Sequence, residues 1–298
     1  MVNLSYLSSR IQPRELDNTE LQRLAPSIFA VEPWQAMSDK YRFIPSIQVI
    51  NALRDAKFYP VRAQQSRSRI PGKQEFTRHM LRFRLRGQDA PASIGDVIPE
   101  IVLTNSHDGT ACYNLMLGLF RLACLNGMVA AMGQLSQIRA RHTGSQSLPD
   151  QVIRGSLSLF DQAPQVLNRV QAWQNIALSP ADQEEYASAA LPLLDSALEI
   201  SPAEILRPRR DVDRDRSSGA HGAGKYYRPA PDLWRTFNVV QENMIKGGTR
   251  GVSETGRRIH TRAIQAVDRD VKLNKALWTL TEKMAEIKTG AAAPAVQS

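Results

Sequence analysis

Cysteine is scarce: Cys112 and Cys124 are the only two in 298 residues. Two thiols cannot form a disulfide framework and fall short of a cysteine-bound zinc site. A cytosolic (cytoplasmic) protein with both thiols reduced is the expectation. Long apolar runs are missing as well. No stretch approaches the roughly 18 apolar residues of a membrane helix, and Met1-Val-Asn-Leu-Ser-Tyr-Leu-Ser-Ser-Arg10 lacks the apolar core of a signal peptide. No membrane partner is therefore expected. The histidines, His79, His107, His142, His221 and His260, are scattered without metal-ligand spacing. No metal, no cofactor and no internal repeat is expected.

Negative charge is in short supply too, at 29 Asp and Glu against 38 Lys and Arg, a formal net charge of +9. Polyanions are then the first partners to consider, nucleic acid ahead of membrane surfaces. Residues 1–150 carry 18 basic against 12 acidic side chains, residues 151–200 carry 2 against 6, and the remainder 18 against 11. Two basic ends around an acidic middle suggest a shared binding face on a scaffold. A hydrophobic content of 42% supports a real core.

The most informative segment is Thr77-Arg-His-Met-Leu-Arg-Phe-Arg-Leu-Arg86. Its period of two is that of a half-buried strand. His79, Leu81, Phe83 and Leu85 share one face; Arg78, Met80, Arg82, Arg84 and Arg86 share the other. Arginines in such a row repel unless something negative lies across them. Either acidic residues of a neighbouring strand do so, or the face tracks phosphates. Arg62, Arg67, Arg69 and Lys73 just upstream, opposed only by Glu75, favour the second.

The wider pattern predicts an α+β fold, an N-terminal mainly antiparallel sheet with helices followed by a helical C-terminal half. Residues 1–40 read as a loose arm, 41–147 as the sheet region, 148–288 as the helical region and 289–298 as a disordered tail. Ser46 is the expected cap of a short helix through Ile47, Ile50, Leu53 and Ala56. Strands are expected at 58–65, 77–86, 100–105 and 136–141, with a turn at Asn105-Ser-His-Asp-Gly109; residues 111–120 fit strand and helix equally. Further on, an amphipathic run spans Val152 to Trp173, irregular at Pro164, and another helix spans 180–198 behind a Ser179 cap. Helices at 232–246 and 254–288 close the fold after a Gly- and Arg-rich loop at 207–231.

Read as one helix, residues 254–288 place Arg258, Arg262, Arg269 and Lys272 on a basic ridge. The opposite, apolar arc takes in Ile259, Ala263, Val267, Val271, Leu277 and Trp278, with Asp270 and Asn274 intruding. Those two polar groups need buried partners, such as Asn238, Glu242 or an arginine. The loop carries Lys225, Tyr226, Tyr227 and Arg228, a cluster suited to gripping phosphates and stacking unpaired bases. Gly219-Ala-His-Gly-Ala-Gly-Lys-Tyr226 nearly spells a phosphate-binding loop, but Tyr226 replaces the magnesium-holding hydroxyl and no strand precedes it. His107 and Asp108 sit in a turn that uses Asp108 for its own backbone bonds, and Glu286-Ile-Lys288 lies at a helix end. No catalytic residues are assigned.

Several segments together resemble a family of uncharacterised phage- and plasmid-borne proteins, the domain-of-unknown-function family numbered 932. They are Leu103-Thr-Asn-Ser-His-Asp-Gly109, Gly118-Leu-Phe-Arg-Leu-Ala-Cys-Leu-Asn-Gly-Met128 with Arg141-His142, Leu233-Trp-Arg-Thr-Phe-Asn-Val-Val-Gln-Glu-Asn243 with Gly247-Gly248, and Lys272-Leu-Asn-Lys-Ala-Leu-Trp278. The resemblance covers roughly residues 34–288; Leu125 departs from the small polar residue expected before Asn-Gly. It marks Asn105, His107, Asp108, Gly109, Arg121, Asn126, Gly127, Asn238 and Asn274 as family hallmarks. It implies cargo of mobile elements, which handles DNA or blunts host defence.

The leading expectation is a non-catalytic nucleic-acid-binding accessory protein preferring single-stranded DNA, with recombination or annealing as an extension. Its contacts would be Arg62, Arg78, Arg82, Arg84 and Arg86 on the strand, Arg258, Arg262, Arg269 and Lys272 on the ridge, and the 225–228 cluster. One alternative is an anti-defence or regulatory protein that binds a host protein. The other is a metal-dependent nuclease built on Glu100, His107 and Asp108. Homo-oligomers are compatible with all three.

Overall fold

The computed structural model describes residues 14–37, 41, 43–87, 97–121, 126–129, 137–140, 148–194, 197–209 and 231–290, without the side chains of 126–129 and 137–140. Two compact units are present: residues 1–163 with 266–268, and residues 164–265 with 269–298. The fold is α+β as expected, an antiparallel sheet with helices followed by a helical half.

The first unit opens on helix α1, Asn18–Leu24. A reciprocal capping box starts it: Glu20 N donates to Asp17 Oδ1 at 2.8 Å and Asp17 N to Glu20 Oε2 at 3.1 Å. Leu21, Ala25 and Ile28 are fully buried. The loose arm expected over 1–40 therefore fails for residues 14–37, because three apolar side chains in ten residues are enough to dock it. Residues 1–13 lie outside the described residues. Helix α2, Ser46–Asp55, buries Ser46, Val49, Ile50 and Leu53, the i, i+3, i+4, i+7 stripe of an amphipathic helix. Its N-cap is Pro45, and the Ser46 hydroxyl, expected to cap, is turned inward instead.

Six antiparallel strands follow: β1 Phe58–Gln65, β2 His79–Leu85, β3 Val97–Asn105, β4 Tyr113–Arg121, β5 Asn126–Val129 and β6 Gln137–Ala140. Their order is β1-β2-β3-β4-β5, with β6 beside the opening half of β4 and β5 beside its closing half. The ambiguous run 111–120 is thus mostly strand. Its apolar residues are continuous because β4 is buried on both faces. One face of the sheet carries Leu81, Phe83, Ile101, Leu103, Leu115 and Leu117, all fully buried. Helices α2 and α3 (Leu148–Phe160) pack on this layer, where the Phe160 and Phe58 rings lie 6.0 Å apart.

The other face holds the arginines, and it is not a solvent surface. Arg82 and Arg84 are each 1% exposed, and Glu100 on β3 is 0% exposed. Arg84 Nε donates to Glu100 Oε1 at 2.9 Å, and Arg82 Nη1 pairs with Glu100 Oε2 at 3.2 Å. The Arg84 guanidinium also lies 4.5 Å from the centre of the Phe120 ring. A neighbouring carboxylate, rather than a bound phosphate, relieves the repulsion between these side chains. Period two shows which residues share a face; whether that face is covered depends on residues far away in sequence.

In the second unit, α4 (Ala163–Gln174), α5 (Pro180–Ala190), α6 (Pro202–Ile205) and α7 (Leu233–Lys246) precede a hairpin, β7 (Arg250–Val252) with β8 (Arg258–His260), and a last helix, α8 (Val267–Thr289). Ser179 caps α5 as expected, but the helix gives way at Leu191 to a 3-10 turn containing Pro192. Trp173, Trp234, Phe237 and Trp278 form the aromatic core, with Trp173 and Trp278 ring centres 4.6 Å apart. The helix expected over 254–288 starts only at Val267, so Ile259 and Ala263 leave its apolar arc. Val267, Asp270, Leu273, Asn274, Leu277, Trp278, Thr281 and Met284 form the buried stripe instead. The expected disordered tail falls outside the described residues except for Thr289, which ends α8, and Gly290. Among the described residues, no helix is long and apolar enough to cross a membrane.

Glu100→Ala would strand two buried guanidiniums. Urea denaturation should show a loss of about 3–5 kcal/mol, against under about 1 kcal/mol for Arg86→Ala at the exposed end of the same strand. Equal losses would contradict the buried-pair account.

Candidate nucleic-acid interface

The basic segment 250–262 forms a hairpin rather than the ridge of a helix. Ser253-Glu-Thr-Gly256 turns the chain, closed by Gly256 N donating to Ser253 O at 2.8 Å and Ser253 N to Arg257 O at 2.9 Å. Arg250 faces His260 across the strands, Gly251 faces Ile259 and Val252 faces Arg258. Side chains of opposed pairs in alternate positions share a face, so Arg250, Val252, Arg258 and His260 lie together. All four are exposed.

The base of the hairpin is held firmly. Helix α7 ends at Lys246, and Gly247 follows with φ 65°. A β-carbon there would collide with the backbone of Arg262 and Ala263, so only glycine permits this approach. Gly248 N donates to Thr261 O at 2.7 Å, and Ile264 N to Ile245 O at 2.9 Å. On the inner edge, Glu199 and Val252 exchange backbone bonds of 2.9 Å in both directions, and Gly251 presses on Leu198 and Ile200.

Arg250, Arg257, Arg258 and Arg262 are all exposed, and Glu254 is the one carboxylate in the segment. Among the described residues, none of the four guanidiniums has an ion-pair or hydrogen-bond partner. Four uncompensated charges on a short ribbon make a local positive field whose counterions a polyanion can displace. Val252, 39% exposed, adds apolar surface on the arginine face, and Ile259, 42% exposed, on the reverse face.

The other expected contacts scatter. Arg62 is exposed on β1, opposite Arg82 in register. Arg78 is half-buried, donates to Thr110 O at 2.5 Å and pairs with Asp268. Arg86 is exposed, pairs with Glu15 and lies 4.8 Å from the Tyr59 ring centre. With Arg82 and Arg84 buried, the continuous arginine face does not exist. Arg258 and Arg262 belong to the hairpin segment, while Arg269 and Lys272 are exposed on α8, where Arg269 donates to Leu194 O. Lys225, Tyr226, Tyr227 and Arg228 lie outside the described residues.

Several of the residues marked by the resemblance take part in buried hydrogen-bond networks. Ser46 Oγ is the hub of a buried network in the first unit, 2.9 Å from His79 Nε2, 3.1 Å from His107 Nε2 and 3.1 Å from the Tyr113 hydroxyl. Asn105 Nδ2 donates to it at 3.2 Å, Ser27 Oγ meets His79 Nδ1 at 2.9 Å, and the Tyr113 hydroxyl donates to Ile44 O at 3.0 Å. Asp108 accepts from Thr110 N at 3.1 Å and from Thr110 Oγ1 at 2.6 Å, and pairs with Lys73 at 3.2 Å. Those bonds hold its carboxyl below the usual range although burial opposes them. Gly109 takes φ 73° in the same turn. Glu100 points to the opposite face of the sheet from Asn105, so the residues of the nuclease alternative do not converge. Arg121 is buried at the end of β4 and pairs in register with Asn126 on β5, next to Gly127.

In the second unit, Asn274 Nδ2 donates to Asp270 Oδ1 at 2.6 Å, and its Oδ1 accepts from Gln241 Nε2 at 2.8 Å. Gln241 is therefore the buried partner that Asn274 needs. Asn238 Nδ2 donates to Trp234 O at 2.6 Å within α7. Sequence reasoning missed Ser46 and Glu100 as hubs, and passed over the exposed Arg250 and Arg257. The alternation of Arg250-Gly-Val and Arg258-Ile-His around Ser-Glu-Thr-Gly was a hairpin signal.

The model of the family described as a domain of unknown function, DUF932, matches residues 33–278. Two proteins of Escherichia coli (strain K12), UPF0380 protein YafZ and UPF0380 protein YfjQ, are each 37% identical over 273 residues, covering 91% of this chain and 92% of theirs. No solved structure matches. The chain belongs to the DUF932 family.

Burial, and next the neighbouring His107, hold the His79 ring at about 3, well below its ordinary 6.5. Between those values an unfolded chain binds a proton on this residue that the folded protein refuses. Stability therefore falls as pH drops below 6.5, by up to about 1.4 kcal/mol per pH unit from this group. Urea unfolding at pH 7 and pH 5 should show a smaller pH difference for His79→Gln than for the parent. An unchanged difference would mean that His79 is not held neutral.

Proposed function

We propose that this member of the DUF932 family is a non-catalytic nucleic-acid-binding accessory protein of a phage, plasmid or integrative element, and that it grips its ligand with the β7–β8 hairpin. The observation that supports this is the set of arginines without partners among the described residues, Arg250, Arg257, Arg258 and Arg262, on a ribbon whose base is fixed by Gly247. Self-repulsion among them is a standing cost to the fold, which a ligand with regularly spaced negative charges removes. Phosphate contacts supply sequence-independent affinity through counterion release. The mobile-element setting rests on the family resemblance alone. The single-strand preference expected from Tyr226 and Tyr227 has no support among the described residues.

A protein partner with an acidic surface is the second reading, favoured by the exposed apolar Val252 beside Arg250 and Arg258 and Ile259 on the reverse face. In that case direct nucleic-acid binding is weak and a stable protein complex forms.

Substituting all four arginines by alanine changes exposed side chains only, so the fold should survive. In fluorescence anisotropy with labelled mixed-sequence DNA, duplex and single-stranded, the parent is expected to bind with strong salt dependence. The fourfold variant should lose most of that affinity and flatten the log–log salt slope by roughly 0.7–0.9 per lost contact. Equal binding by parent and variant would remove the hairpin from the interface. Absence of salt-dependent binding by the parent would turn the search to an acidic protein.

A further inference from the structure

The hairpin's geometry points to the groove of double-stranded DNA, a step that rests on the nucleic-acid reading above and specifies its ligand. We infer that β7–β8 enters the major groove as a two-stranded ribbon, with Arg250, Val252, Arg258 and His260 as the face turned to the base edges.

Three observations carry this. First, proteins that hold single strands stack bases on aromatic side chains, and residues 250–262 hold none besides the imidazole of His260. The second unit's described core aromatics, Trp173, Tyr186, Trp234, Phe237 and Trp278, are all buried. Second, the dimensions suit a groove. Paired strands lie about 4.8 Å apart, and a two-stranded ribbon is admitted by the major groove, about 12 Å wide, but not by a minor groove of about 6 Å. Third, the exposed face mixes the chemistry that base edges take. Arg250 on β7 and Arg258 on β8 sit diagonally across the ribbon, within about 8 Å. Their forked donors match the O6 and N7 acceptors of guanine, and Val252 opposite Arg258 offers the apolar contact that a thymine methyl accepts. Arg257 at the turn and Arg262 beyond β8 flank this face and fall to the phosphate walls. Glu199 pairs with Val252 on the inner edge and its exposed carboxylate shares that face, so the ligand is met from the β8 side.

The test uses the full chain with a labelled duplex, competed by unlabelled duplex or by single strands of the same length. Dimethyl sulfate then reports guanine N7 in the major groove and adenine N3 in the minor groove. The expected result is preference for duplex by tenfold or more, on the order of one specific contact, with guanine N7 protected and adenine N3 reactive. Val252→Ala should weaken duplex binding roughly fivefold with the salt slope unchanged. Arg257→Ala with Arg262→Ala should flatten the slope by roughly 1.8. Equal or better competition by single strands, or protection of N3 without N7, would overturn the groove assignment while leaving nucleic-acid binding in place. A parent chain that binds neither form would instead overturn the underlying reading.

Discussion

Glu100 sits between Arg82 and Arg84 inside the sheet, and much of the first unit follows from that arrangement. Charges removed from water are costly unless each has a partner in good geometry. The three side chains meet only when β2 and β3 pair as they do, with Phe83 beside Ile101 and Arg82 beside Val102. A slip of one residue would turn both guanidiniums onto the layer of Leu81, Phe83 and Leu103, where helices α2 and α3 pack. The triad thus penalises the wrong register strongly, while its net contribution to the right one is modest. On the opposite layer, the Ser46 hydroxyl performs a comparable duty. It ties the start of α2 to β2, β3 and β4 through His79, Asn105 and Tyr113.

Arginine has two opposed roles in this chain. On β2 it is buried, paired and part of the fold; on β7 and β8 it is exposed and, among the described residues, without an ion-pair partner. The difference lies outside the arginines themselves. β2 has a neighbouring strand that supplies a carboxylate, whereas β7 is flanked on its inner edge by backbone bonds to Glu199 and on its outer edge by another basic strand. The density of basic residues along the sequence therefore does not show which of them the fold leaves exposed.

The fold class, β1 and the capped start of α5 were legible in local pattern, because period two and a Ser-Pro-x-Asp start are short-range signals. The covering of the arginine face was not, since Glu100 stands 16 residues beyond Arg84 in sequence. The run 254–266 was misread because Arg and Ile at helical spacing also fit two strands around a turn, and only pairing with Arg250–Val252 decides between them. Asn274 was visible as a polar residue intruding on an apolar arc, and Asn105 and His107 as members of a polar turn. Their partners, Ser46 and Gln241, come from other helices and carry no local mark.

The sheet's meander has a consequence for how the chain is made. From β1 to β4 each strand pairs with the next in sequence, so each closure is local, and the closure entropy grows only slowly with the length of the connection. Such a sheet can grow strand by strand as the polypeptide leaves the ribosome, N-terminal end first. The acidic member of the triad arrives after both arginines have emerged. Until Glu100 is synthesised, the two guanidiniums of β2 lack the carboxylate beside which they are buried, and their charge favours water. Burial of Arg82 and Arg84 as paired charges therefore has to wait for β3, which brings their counter-charge.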